Sequence, residues 1–256
     1  MKNPIITLLT DFGTKDPFVG TMKGVILGIC PQAQLVDLTH EVPPQAVLTG
    51  SFLLQSVIDY FPKGTVHLAV VDPGVGSRRK TVAFKSRGHF FVGPDNGLIP
   101  AALKYWGIEQ TVELTEKKYR LSNTSFTFHG RDVFAPAAAH LAKGILLAKL
   151  GKKTNNWVWG EIPKPFKAAK GWVGEVLWVD RFGNLITNLE KKHLPHPFRL
   201  RIGKAVILSF INHYVEVKKG TVAALIGSSG KLEISVSGGN AARKLGVGIG
   251  AQVNLC

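Results

Sequence analysis

The stretch Ile5-Ile6-Thr7-Leu8-Leu9-Thr10-Asp11-Phe12-Gly13 decides how the first half of this chain is read. Its first five residues form a near-continuous apolar run, the pattern of a strand buried on both faces, and such strands belong to parallel sheets covered by helices. The run ends in a polar residue and a glycine, as a strand does where it reaches a functional loop at the carboxyl edge of an open sheet. Asp16-Pro17 then reads as a helix N-cap followed by proline at the first helical position, where its missing N–H and fixed φ are tolerated. Phe18, Val19, Met22, Val25, Ile26 and Ile29 recur at helical spacing, so residues 17–29 are expected to form an amphipathic helix, closed by Cys30 and stopped by Pro31.

The same alternation continues outward. A strand is expected at 35–38, a helix after Pro43-Pro44 carrying Leu48, Phe52 and Ile58, and a third buried strand at 66–71 that ends in Asp72-Pro73-Gly74-Val75-Gly76. Strands near 81–84 and 90–92, a turn at Pro94-Asp95-Asn96-Gly97 and an alanine-rich helix at 132–143 complete an α/β domain with a mostly parallel sheet over residues 1–155. Around 151–170 the texture turns to Lys, Pro and Trp without a period, and 156–170 reads as a linker. Beyond it, strand patterns at 173–179, 185–187, 206–210, 214–217, 222–226 and 232–236 are separated by glycine turns, with no competing helix. Residues 171–256 are therefore expected to form a smaller all-β, barrel-like domain.

The formal charge of +15 points first to nucleic acid, because phosphate neutralisation uses clustered Lys and Arg. Residues 1–150 carry 16 Lys+Arg against 11 Asp+Glu, and residues 151–256 carry 16 against 6. Yet these charges are dispersed as pairs such as Lys152-Lys153 and Lys191-Lys192, with Arg78-Arg79-Lys80 the only triplet, which reads as a solvated basic surface. No run reaches the roughly 20 apolar residues of a membrane helix, and no basic-then-apolar leader opens the sequence. The two cysteines, Cys30 and Cys256, make no disulfide framework, so a cytoplasmic location is expected.

Chemistry-bearing side chains gather where the strands end: Asp11 after the first, Asp37 within the second, Asp72 after the third, and His129 before the last helix of the α/β half. Taken singly, each has an ordinary structural reading as a cap, a turn residue or a satisfied histidine. Asp72-Pro-Gly-Val-Gly-Ser-Arg-Arg79 has glycines that allow a tight turn but lacks the GK[ST] ending of a phosphate-binding loop. Phe126-Thr-Phe-His-Gly-Arg-Asp132 reads locally as a helix start, Asp180-Arg-Phe-Gly-Asn184 and Gly238-Gly-Asn240 as turns. Gly246-Val-Gly-Ile-Gly250 lies far from any βαβ unit and is no dinucleotide fingerprint.

The order of these motifs is more informative than any one of them. Thr10-Asp-Phe-Gly13 with Asp16, Val71-Asp-Pro-Gly-Val-Gly76, Gly93-Pro-Asp-Asn-Gly97, Phe128-His-Gly-Arg-Asp132, Asp180-Arg-Phe-Gly-Asn184, and Leu232-Glu-Ile followed by Gly239-Asn-Ala-Ala242 span nearly the whole chain. Together they resemble the S-adenosyl-L-methionine hydroxide adenosyltransferase family, relatives of the fluorinating and chlorinating adenosyl enzymes. That resemblance implies hydrolysis of S-adenosyl-L-methionine to adenosine and L-methionine, with no cofactor and no metal, in a homotrimer whose sites lie between subunits. It implies a water-activating triad of Asp72, Arg79 and His129. Asp11 would bind the ribose hydroxyls and Asn184 the adenine edge, Asp16, Asp180 and Ser228 would lie near the methionine moiety, and Glu233 and the backbone at Val236 would line the adenine side. Phe18 departs from the pattern, since relatives often carry Tyr there.

The residue types suit this chemistry in their own right. Displacement at the 5′ carbon of a sulfonium needs a nucleophile in line with a neutral leaving group. A halide arrives charged, whereas water, with a pKa near 15.7, needs help. Arg79 would stabilise developing hydroxide, and a His129–Asp72 arrangement would orient the water and take its proton. Phe12, Phe128 and Phe182 offer π faces to a sulfonium and apolar surface that excludes water. Two other readings stay open: a metal-dependent hydrolase of a nucleotide-like substrate, using Asp11, Asp37, Asp72 and His129 as ligands, and a non-catalytic adenosine or nucleic-acid binding module.

Overall fold

The computed structural model describes residues 3–255 and divides into two compact units, Met1–Ile162 and Pro163–Cys256. Cys256 lies outside the described residues.

In the first unit, β1 (Ile5–Thr10), α1 (Phe18–Ile29), β2 (Gln34–Thr39), α2 (Val47–Gln55) and β3 (Val66–Val70) follow one another. They are succeeded by β4 (Thr81–Ser86), β5 (His89–Pro94), α3 (Leu98–Ala102), β6 (Gln110–Glu113), α4 (Ala135–Ala142) and β7 (Lys152–Lys153). The sheet runs β2-β1-β3-β5-β4-β6-β7. Both faces of the central strands are buried, as the apolar runs require. Ile6, Leu8, Leu68 and Val70 pack under α1 and α4, while Leu9, Ala69 and Val71 pack on the other side with Leu54, Leu98 and Ile99.

The sheet is mixed, not mostly parallel. β2-β1-β3-β5 pair in parallel, whereas β5-β4, β4-β6 and β6-β7 are antiparallel. The cause is local: Ser86 pairs with His89 across a two-residue turn, Arg87-Gly88, whose φ values of 47° and 80° are both positive. A two-residue turn of that kind reverses the chain and admits no parallel partner.

Two helix starts also differ from expectation. Pro17, not Asp16, holds the cap position of α1, and no side chain bonds the free N–H groups there. The expected helix at 132–143 begins instead as a wide π turn, Gly130–Phe134, which runs into α4. Pro136 explains it: proline has no N–H for the carbonyl of Asp132 four residues earlier, and its ring crowds that carbonyl. The Asp132 carbonyl accepts from Leu121 N–H at 2.9 Å.

The second unit contains β8 (Phe166–Ala168), β9 (Gly171–Val179), β10 (Leu185–Glu190), β11 (Leu200–Ile202), β12 (Ala205–Ile207), β13 (Val222–Ile226), β14 (Lys231–Val236), α5 (Ala241–Leu245) and β15 (Gln252–Leu255). Its antiparallel order is β12-β11-β15-β9-β10-β14-β13, with β8 on β9. A bridge from Phe210 to Ala224 brings the two ends of this sheet together, so the barrel is nearly closed around Val176, Leu185, Leu200, Ile234 and Val253. The strand expected at 214–217 is a single 3-10 turn, Tyr214–Glu216, and the one expected at 206–210 ends at Ile207. The short α5 was not expected, although Asn240 caps its start and Gly246, at φ 64°, ends it.

A buried pair of imidazoles sits under the sheet. His67 on β3 holds Thr7 Oγ1 at 2.8 Å through Nδ1 and His89 Nδ1 at 3.2 Å through Nε2. Burial, reinforced by His89, pushes the His67 pKa down to about 3, from an ordinary 6.5. The unfolded chain therefore takes up a proton that the fold refuses. Stability is fully present above pH 6.5 and falls between there and about pH 3, by about 1.4 kcal/mol per pH unit for this group. Denaturant unfolding at pH 6, 5 and 4 should approach that slope in the wild type and show a flatter one in His67→Gln. Parallel curves would mean that His67 does not titrate on unfolding.

Candidate active site

In an open sheet, ligands bind outside the carboxyl ends of the strands where the winding reverses. Here α1 connects β1 to β2, α2 connects β2 to β3, and the two helices pack on opposite faces, so the reversal lies between β1 and β3. Asp11 follows β1 and Asp72 follows β3.

Asp72 begins a tight loop in which Val75 N–H bonds the Asp72 carbonyl and Ser77 N–H bonds that of Gly74. The loop returns Arg79 onto Asp72: Nε donates to Oδ1 at 2.8 Å and Nη2 to Oδ2. The same Nη2 lies 2.9 Å from His129 Nδ1. Arg79 therefore stands between Asp72 and His129, and the His129–Asp72 arrangement expected from sequence takes the form of a chain with the guanidinium at its centre. The pair is nearly dry, with side chains 9% and 5% exposed for Arg79 and Asp72. Phe134 supports the cation with its ring 5.3 Å away.

A guanidinium has donors only, so His129 Nδ1 must be the acceptor in this contact. The neutral ring then carries its proton on Nε2. Burial first, and the Arg79 cation second, hold the His129 pKa below the ordinary histidine value, against the opposing pull of Asp72.

Three features that sequence reading did not assign hold this arrangement in place. Gly76, at φ 77°, lies so close to the Phe126 carbonyl that an added Cβ would approach it to 2.4 Å, which presses the Asp72 loop against the His129 loop. Asp132 is fully buried and accepts from Ser125 N–H and Oγ, each at 2.8 Å, and from Arg131 Nε at 2.6 Å, which ties down the segment before His129. Asn96 donates to the carbonyl of Val71, next to Asp72, at 2.8 Å. The Val71–Gly76, Pro94–Gly97 and Phe128–Asp132 motifs carried the signal for these residues, but Gly76 and Asn96 meet partners distant in sequence.

Beside the triad, Phe12, Phe18 and Phe128 meet edge to face at 5.2–5.9 Å. Phe18 thus completes an aromatic cluster without needing a hydroxyl. Asp11 accepts Gln45 N–H at 2.8 Å, and Asp16 is exposed ahead of α1. The alternative metal set is not gathered: Asp72 and His129 both face Arg79, while Asp37 holds Lys23 at 2.6 Å. Among the described residues no three His, Cys, Asp or Glu side chains converge.

In the second unit, Asp180 builds the turn between β9 and β10. Its Oδ1 accepts the N–H groups of Phe182 and Asn184 at 2.9 and 2.8 Å, and its Oδ2 accepts Asn184 Nδ2 at 2.9 Å. This fixes the amide of the buried Asn184 and leaves Phe182 75% exposed at the turn's tip. Glu233, on β14, is 5% exposed and accepts the Tyr214 hydroxyl at 2.7 Å. Burial, with Asp180 adding to it, raises the Glu233 pKa, and burial beside Glu233 pushes the Tyr214 hydroxyl up to about 12. Val236 is buried at the end of β14, its carbonyl accepting Gly239 N–H, and Ser228 is exposed in the turn between β13 and β14.

The Arg79–His129 contact yields a direct test. In NMR, His129 should be neutral with its proton on Nε2 and should titrate below 6.5; Arg79→Met should raise that pKa, because a lowering charge is removed while Asp72 remains. An unchanged pKa would dissociate the guanidinium from the ring.

Comparison with known proteins supplies the remaining observation. Residues 6–151 match the family model of the SAM hydroxide adenosyltransferase N-terminal domain, and residues 174–254 match that of the C-terminal domain. A protein of Salinispora tropica named (R)-S-adenosyl-L-methionine hydrolase is 38% identical, covering 98% of this chain and 97% of its own. A protein of Actinoplanes sp. named fluorinase is 29% identical over 81% of this chain and 80% of its own. The crystal structure of an uncharacterized conserved protein from Thermotoga maritima superposes with a TM-score of 0.91 at 35% identity, covering 98% of this chain and 99% of that one. With both family models in order and nearly full-length relatives above 30% identity, this chain belongs to the SAM hydroxide adenosyltransferase family.

Proposed function

We propose that this protein hydrolyses S-adenosyl-L-methionine to adenosine and L-methionine, and that Asp72, Arg79 and His129 activate the attacking water. The observation that carries this reading is the buried chain in which one guanidinium binds both the Asp72 carboxylate and His129 Nδ1. It provides positive charge where a hydroxide would form, in a nearly dry setting where such charge acts strongly. A halide would need no such preparation.

In the proposed step the water oxygen attacks the ribose 5′ carbon opposite the sulfonium. The carbon–sulfur bond breaks with its electron pair going to sulfur, and methionine leaves as a neutral thioether. Arg79 and the Nε2–H of His129 hold the developing hydroxide. Asp72 takes the water's proton, because each carboxylate oxygen keeps a second lone pair beyond its bond to Arg79. This revises the role expected for His129, whose Nδ1 already accepts from Arg79.

Asp11 binds the ribose hydroxyls in this reading, and Asn184, its amide fixed by Asp180, reads the adenine edge with Glu233 and the Val236 backbone. Asp16, Asp180 and Ser228 receive the methionine moiety, with Phe12, Phe18 and Phe128 presenting aromatic surface to the sulfonium. A homotrimer whose subunits complete one another's sites, working without a cofactor, belongs to the same proposal and rests on the family resemblance; a cytoplasmic location belongs to it too and rests on the two isolated cysteines.

Purified protein incubated separately with each sulfonium epimer of S-adenosyl-L-methionine should release adenosine and methionine in equal amounts from one of them. In ¹⁸O-labelled water, label should enter the adenosine 5′-hydroxyl, and a chirally deuterated 5′ carbon should be inverted. Tight binding without turnover would favour a binding module; retention would indicate a covalent intermediate. Asp72→Asn and Arg79→Met should lower kcat by about 10²–10⁴-fold with little change in KM. Equal losses in kcat and in substrate affinity would place both residues in binding instead.

A further inference from the structure

Away from the triad, a second carboxylate–imidazole–hydroxyl set links the carboxyl ends of β1 and β2. Thr10 Oγ1 lies 2.9 Å from His40 Nδ1. The other ring nitrogen of His40 lies 3.0 Å from Asp37 Oδ1, at ion-pair range but off the line of an N–H···O bond. Asp37 in turn accepts Lys23 Nζ at 2.6 Å. The order resembles that of a nucleophilic triad, yet Thr10 is fully buried and its hydroxyl cannot meet a substrate.

What this set does is bracket Asp11. Thr10 Oγ1 accepts Phe12 N–H at 3.2 Å, and the His40 carbonyl accepts Gly13 N–H at 2.7 Å, so one side chain and one main-chain group hold the residues just after Asp11. From the same β2 loop, Gln45 donates its N–H to Asp11 Oδ2 at 2.8 Å. Gln45 does so at φ 65°, a left-handed conformation uncommon for a residue with a Cβ and concentrated at functional sites. A carboxylate has four acceptor positions, so this single bond orients Asp11 without exhausting it.

We infer that Thr10, His40 and Asp37 are positioning residues that aim the Asp11 carboxylate at the two ribose hydroxyls, and that discrimination of ribose from 2′-deoxyribose depends on the buried Thr10 hydroxyl. This rests on the reading of Asp11 as the ribose ligand. Vicinal hydroxyls demand a carboxylate held in one plane; an Asp free to rotate would bind one hydroxyl as well as two. The bonds at Thr10, Phe12, Gly13 and Gln45 remove that freedom from the backbone on both sides.

The test uses the intact protein and four variants: Thr10→Val, Thr10→Ser, Asp37→Asn and Asp11→Ala. Affinities for adenosine and 2′-deoxyadenosine are measured by calorimetry, beside KM and kcat for S-adenosyl-L-methionine. Thr10→Val, which keeps the shape and loses the hydroxyl, should raise KM and reduce the preference for adenosine by about tenfold, as loss of one buried hydrogen bond would, with kcat changing far less. Thr10→Ser should restore the preference. Should Thr10→Val fail to fold, the half-exposed Asp37→Asn should lose preference in the same direction and to a smaller extent. A wild-type preference in either folded variant, alongside its loss in Asp11→Ala, would overturn the inference while leaving Asp11 as the ribose ligand. A preference that survives Asp11→Ala would remove that ligand assignment and the inference with it.

Discussion

Arg79 sets one planar cation against an acceptor carboxylate and an imidazole at the same time, with almost no solvent around the pair. A buried ion is tolerated only when its donors find partners. Here Nε and Nη2 go to Asp72, Nη2 also reaches His129, Nη1 lies 3.4 Å from the Lys80 carbonyl, and Phe134 lies beneath. Removing Asp72 would leave the guanidinium charge stranded, so the loops that carry the pair must hold their positions. The segments that carry these partners, near residues 72–80 and 129–134, are separated by many residues and meet only in the fold, with Asn96 bracing the first through the Val71 carbonyl.

Each of those segments is shaped by a short-range rule. Gly76 takes a positive φ and gives the Phe126 backbone room to approach. Pro136 withholds an N–H from the Asp132 carbonyl, which opens the π turn after His129 and lets that carbonyl hold Leu121. The Asp132 carboxylate meanwhile gathers Ser125 and Arg131. Its own ionisation is disfavoured by burial, but the bonds from Arg131 and Ser125 outweigh that and hold its pKa low. The site is thus held by buried polar groups that are satisfied, not by a flexible rim.

In the second unit one residue shapes a turn and orients a candidate site side chain. Asp180 spends its oxygens on the turn that joins β9 and β10, and through that turn it fixes the Asn184 amide. Gly183 is required there for a steric reason as well: a Cβ would meet the Asn240 side chain at 2.1 Å. Asn240 itself caps α5 by accepting Arg243 N–H. A substitution at Asp180 would therefore act on structure before it acted on any ligand, which separates it from Asp11.

Much of the fold was legible in sequence because its signals are local. The apolar runs at Ile5–Thr10 and Val66–Val70 mark strands buried on both faces, and the helical spacing after Pro17 marks α1. The positive-φ turn at Arg87-Gly88 is also local and reverses β4 onto β5, but the rest of the antiparallel half-sheet depends on β6 and β7 pairing beyond β4. The triad residues were named from the order of motifs. That order pointed to candidate side chains, and it left open which touches which. Only the tertiary structure put Arg79 between Asp72 and His129, because hydrogen-bond partners 7 and 50 residues apart are chosen by how loops pack, not by the residues beside them in the chain.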